Sequence, residues 1–122
     1  MLLQKESDGS ATTIKSYQPG EINISGNIYS QPVLITTNSV TEYDKANSFT
    51  DLDFEDIASL LPDGTEILLV GCGEKHQLVP AKEIEKMNKR GVAIEVMATR
   101  QACHTFQVLN YERRNVVALL IP

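Results

Sequence analysis

"EILLVGCGEKHQLVPAKEIEKMNKRGVAIEVM", residues 66–97, decides the fold class. Its apolar run Ile67–Val70 has no polar alternation, which implies a strand buried on both faces. Pro80 stands at a helix start, and "AKEIEKMNKRG" sets Ile84 and Met87 on one side of a helix that Gly91 stops. "VAIEVM" (92–97) is a second strand. A strand, a crossover helix and a strand favour a parallel pair, so this stretch predicts an α/β arrangement.

Working outward, "TRQACHTFQVLNYERR" (99–114) predicts a helix with Thr99 as its N-cap and Ala102, Phe106 and Leu109 along one stripe. "NVVALLIP" (115–122) closes the chain with a strand whose continuous apolar run again implies burial on both faces. In the other direction, "DFEDIASLLPDG" (53–64) is a short helix capped by Asp53 and ended by Pro62-Asp63-Gly64. "NSVTEYDKANS" (38–48) has loop composition. Further back, "TTIKSY", "EINISG", "NIYS" and "PVLITT" are strand-like and punctuated by the turn signals Pro19-Gly20 and Gly26-Asn27. They predict an N-terminal β-meander. Residues 1–11 are polar and form a flexible N-terminal tail in this reading, ahead of a single α/β domain over residues 12–122.

Composition narrows the function. A chain of 122 residues makes one domain, able to bury about two-thirds of its unfolded surface. With 42% hydrophobic residues and no Trp, the core rests on Leu, Ile and Val. No apolar run approaches the roughly 18 residues of a membrane span, and the N-terminus carries no signal-peptide pattern, so a cytoplasmic protein with no membrane span is expected. The net charge of −5 speaks against nucleic-acid binding, which needs clustered Lys and Arg. The acidic groups gather at Glu42, Asp44, Asp51, Asp53, Glu55 and Asp56, a pattern of caps and solvated loop. An EF-hand is excluded there, because "DLDFEDIASLLP" lacks Gly at its sixth position and Glu at its twelfth.

Gly71-Cys72-Gly73, at the end of the first buried strand, is the candidate site. Glycines there permit positive φ and close backbone approach, and strand ends of this type border crevices in open sheets. The loop fits neither a dinucleotide fingerprint, since the third glycine position is His76, nor a P-loop, nor a nucleophile elbow. Cys72 is the one weak catalytic candidate; no orienting partner for a base is identifiable, so no catalytic set is complete. Cys72, His76, Cys103 and His104 lack a recognisable ligand spacing, so no metal and no cofactor are expected. Thr99 and Arg100, at the start of the following helix, could attract an anion, and Arg113 and Arg114 add positive charge further on. Gly71, Cys72, Gly73, Thr99, Arg100, Arg113 and Arg114 are therefore the candidate ligand- or partner-binding residues.

These segments carry a family resemblance. "ILLVGCG" followed by "GVAIEVMATRQACHTFQVLNYERRNVVALLIP" resembles small bacterial proteins of unknown function related to mitochondrial NADH:ubiquinone oxidoreductase (complex I) assembly factor 3. The matching positions are Gly71 and Gly73; Gly91, Glu95, Met97 and Thr99; Ala102, Thr105, Phe106 and Leu109; and Glu112, Arg114 and Val116. With "SYQPGEINISGNIYSQPVLIT" the resemblance runs over about residues 13–121. Gln107 stands where the family usually has Asn, Ala98 where Asp is common, and Cys72 where Thr is frequent. That last departure weighs against a cysteine mechanism shared by the family. The resemblance implies a three-layer α/β fold around a central mixed sheet. It also implies an assembly-factor-like, non-catalytic role with a protein partner, linked to respiratory or membrane-complex assembly. The alternative expectation is a small anionic ligand, or a reaction, at the Gly71–Gly73 crevice. Strand edges in such a sheet would also allow a homo-oligomer.

Overall fold

The computed structural model describes residues 12–122; the tail expected at residues 1–11 lies outside the described residues. The meander is present as β1 (Ile14–Gln18), β2 (Glu21–Ile24) and β3 (Asn27–Tyr29), a three-stranded antiparallel sheet in that order. Gly20 and Gly26 turn it at φ of 91° and 97°, a region that side-chain-bearing residues avoid. The chain continues through β4 (Val33–Ile35), β5 (Val40–Glu42), α1 (Phe54–Leu60), β6 (Ile67–Cys72), α2 (Ala81–Lys89), β7 (Ala93–Met97), α3 (Thr99–Tyr111) and β8 (Val116–Ile121).

The main sheet has five strands in the order β5-β4-β8-β6-β7. β6 runs parallel to both β7 and β8, while β4 is antiparallel to β8 and to β5, so the sheet is mixed. The last strand in sequence lies at its centre, and all six of its residues are buried. β6 is similarly covered, with only Ile67 partly accessible. The continuous apolar runs of these two strands follow from that two-sided burial. β5 falls inside the segment expected to be loop: Val40-Thr41-Glu42 pairs with β4 although its side chains are largely exposed. An edge strand needs only its ladder on one side, so it carries little hydrophobic signature.

Two cores sandwich this sheet, giving three layers. On one face α3, through Ala102, Cys103 and Phe106, packs on Leu69, Val116, Ala118 and Leu120, and Ile14, Ile22 and Ile24 of the small sheet close the same cluster. On the other face Phe54 and Ile57 of α1 and Met87 of α2 pack on Leu68, Val70, Val117 and Leu119. The Asp53 side chain caps α1 by accepting from the amides of Glu55 and Asp56, satisfying donors that the first helical turn leaves free. Gly91, at φ 83°, follows Arg90, the C-cap of α2, as its sequence position indicates. Asp56 ties the preceding loop to α1: Tyr43 Oη donates to its Oδ2 and Lys45 Nζ to its Oδ1, each at 2.9 Å. The lysine and then the tyrosine hold the Asp56 carboxyl below its ordinary pKa.

Candidate functional site

Along β6 successive side chains alternate between faces. Leu69 joins the α3-side core, Leu68 and Val70 the opposite one. Gly71 accordingly faces α3, and a β-carbon there would lie 3.0 Å from Thr99 Oγ1 and 3.1 Å from both Ala102 Cβ and Leu120 Cδ2. The glycine is thus required by the close approach of the helix. The same alternation sends Cys72 to the α1/α2 face, while Cys103 sits in the α3-side core. The two thiols are free, buried, and on opposite sides of the sheet. Cys72 Sγ donates to the carbonyl of Lys75 at 3.3 Å, which closes the loop onto the strand end. His76 and His104 are both exposed. Burial pushes the Cys103 thiol up to about 11, only partly opposed by Arg100, the reverse of what an activated thiolate needs. Among the described residues, no three His, Cys, Asp or Glu side chains are grouped to hold a metal ion.

Thr99 is fully buried and does not cap its helix: the cap position is Ala98, with no side-chain bond to the first turn. Its hydroxyl instead accepts from the Gly73 amide at 2.7 Å and donates to the Ile121 carbonyl at 2.6 Å. β6 and β8 end in register at Cys72 and Ile121. The hydroxyl therefore acts as one further rung, relaying a hydrogen bond between two strands just where their direct ladder stops. The Thr99 amide completes the joint by donating to the Gly73 carbonyl at 2.9 Å. Gly73 makes this turn at φ 94°.

Arg100 points outward from this joint, its guanidinium carbon 5.0 Å from the centre of the Tyr17 ring, within cation–π range. Burial and then Glu74 raise the Tyr17 pKa, with Arg100 acting in the opposite sense. The structure brings Gly71, Gly73, Thr99 and Arg100 together. It places Arg113 and Arg114 beyond the other end of α3, whose 13 residues span roughly 20 Å. Arg113 takes a left-handed conformation, φ 62°, to end the helix, and Arg114 Nε pairs with Glu66 Oε1 at 3.0 Å.

A second surface gave little signal in the sequence. Phe49 and Leu52, from the turn ahead of α1, and Phe54, its first residue, face Gln77, Leu78 and Pro80 from the loop ahead of α2 across a groove of about 450 Å³. The hint was Leu78, a large apolar residue in the otherwise polar "EKHQ" loop; it is 81% exposed.

Residues 14–121 match the family described as a protein of unknown function, DUF498/DUF598. NADH dehydrogenase (ubiquinone) 1 alpha subcomplex assembly factor 3 of Danio rerio is 34% identical over 123 aligned residues, which cover 99% of this chain and 70% of the relative. The 13 kDa major membrane protein of Francisella tularensis is 31% identical over 122 residues, 99% of each chain. Among solved structures, that of a Bordetella parapertussis protein superposes with a TM-score of 0.85 at 25% identity, covering 94% of this chain and 98% of the other.

Proposed function

This chain belongs to the DUF498/DUF598 family of proteins of unknown function, and from that premise we propose that it is an assembly-factor-like, non-catalytic domain. It holds a protein partner while a respiratory or other membrane-bound complex is put together. The observation that carries this reading is 34% identity, over 99% of the chain, to a protein named as an assembly factor of NADH dehydrogenase. Among the described residues no helix is long and apolar enough to cross a membrane; in this proposal the domain works from the cytoplasmic side of such a complex.

The contact surface we assign is the β6 end, where Gly73 and the loop after it lie beside Arg100. The joint beneath is fixed by Thr99, so Arg100 is presented from a rigid base, which lowers the ordering cost of docking. Arg113 and Arg114 then form a separate basic spot rather than part of this surface. The alternative, a small anion held by the start of α3, is weaker because the first amide of that helix already donates to Gly73.

Deletion of the encoding gene tests the reading. Native gel electrophoresis of solubilised membranes should show less assembled NADH:ubiquinone oxidoreductase, with its subunits still synthesised. Wild type should restore assembly, and a folded Arg100→Glu variant should restore it less well. Unchanged complex levels in the deletion strain would remove the assembly-factor reading.

A further inference from the structure

The groove between the α1 and α2 approaches has features that the family match does not address. Its floor is a pair of aromatic rings, Phe49 and Phe54, meeting edge-to-face with centroids 6.5 Å apart and planes at 67°. Phe54 is buried in the α1/α2-side core and Phe49 packs against that core, so the floor is preformed. Leu78 stands beside it with 81% of its surface exposed. A hole next to a projecting apolar knob suits a protein segment better than an enclosed small molecule, because each partner can bury the other's anchor.

Charge selects the occupant. The two charged residues lining the groove are Asp53 and Glu83, both carboxylates. Asp53 bonds only to backbone amides of α1, and neither residue has an ion-pair partner among the described residues. Cations appear further along, where a narrower cleft sharing Phe54 and Glu83 meets Lys86 and Arg90. The groove is therefore lined by apolar and uncharged groups, with carboxylates as its charged residues. We propose that it docks a partner segment carrying a bulky apolar side chain next to a Lys or Arg: the apolar group fills the space over Phe49 and Phe54, and the cation lies over Asp53 and Glu83. This site is separate from the Arg100 surface and stands or falls independently of the assembly-factor reading.

A randomised peptide library displayed on phage, selected on the wild-type protein and counter-selected on Leu78→Asp, tests it. Residue 78 is exposed, so the variant should fold, which circular dichroism checks. Enriched peptides should place a bulky apolar residue within about one helical turn of Lys or Arg. In fluorescence anisotropy, a synthetic peptide of the selected consensus should lose about tenfold or more in affinity with Leu78→Ala. Glu83→Lys should weaken it further as the salt-dependent part disappears. No enrichment over the counter-selection would overturn the proposal, as would enriched peptides without basic residues or indifference to Glu83→Lys. A concentration-dependent dimer in sedimentation that Leu78→Asp abolishes would give the groove to a second copy, and would equally overturn the occupant named here.

Discussion

Replacing Thr99 by Val removes the rung between β6 and β8 while nearly preserving side-chain shape. The hydroxyl now serves the Gly73 amide at 2.7 Å and the Ile121 carbonyl at 2.6 Å, and the residue has no exposed surface. Valine leaves both backbone groups without this partner, at a cost of about 1–3 kcal/mol for each group left unsatisfied. Gly73 is only half-buried, so its amide can recover some bonding from water, and the sum falls to roughly 2–4 kcal/mol. Against a total stability of about 5–15 kcal/mol that is a large fraction. At an unfolding entropy near 2.1 cal/mol/K per residue, each kcal/mol moves the Tm of a domain this size by about 4 °C, so the expected loss is roughly 8–16 °C. Thr99→Ser is the discriminating control. It keeps both hydrogen bonds and loses one buried methyl, worth about 1 kcal/mol. Urea unfolding at constant m, with thermal melts followed by circular dichroism, should rank wild type above Ser and Ser above Val. A Val variant within about 0.5 kcal/mol of wild type, or a Ser variant as damaged as Val, would refute the relay.

Gly71→Ala should cost about 1–3 kcal/mol by overpacking, because the new methyl meets the helix and Leu120 on three sides; equilibrium unfolding that matches wild type would mean α3 can step back freely. Arg113→Gly should instead stabilise by about 0.5–1 kcal/mol, since the left-handed φ of 62° strains a side-chain-bearing residue, and a higher urea midpoint is the readout. The Cys103 thiol has its folded pKa raised from 9.0 to about 11 by burial, so the unfolded chain loses that proton first. Its contribution is fully present below about pH 9 and declines as pH rises toward 11; unfolding at pH 8 and pH 10 should show a shallower decline in Cys103→Ala than in wild type. Arg114→Ala should change stability by about 0–1 kcal/mol, because the residue's pair with Glu66 is roughly half exposed on both sides; a larger shift in the urea midpoint would contradict that.

Elements with local signatures were legible in the sequence. Asp53 caps α1 because a short acceptor ahead of an apolar-periodic run has few other uses, and Pro80 and Gly91 bracket α2 for equally local backbone reasons. The runs in β6 and β8 announced two-sided burial. β5 was not legible, since three largely exposed residues on a sheet edge have no pattern to show. Thr99 was misread for a related cause. A threonine ahead of a helix satisfies the cap pattern, and its actual partners, Gly73 and Ile121, lie 26 and 22 residues away in sequence.

The candidate site divides along the same line. That Gly71-Cys72-Gly73 ends a buried strand followed from the sequence, as did the class of fold, because hydrophobic periodicity and turn chemistry act over a few residues. Three things waited for the tertiary structure: which side of the sheet each cysteine occupies, the separation of Arg100 from Arg113 and Arg114 by the length of α3, and the groove joining residues 49–54 to residues 77–83. Each depends on how elements distant in sequence are brought together, and burial of the two sheet faces, rather than any local preference, sets that arrangement.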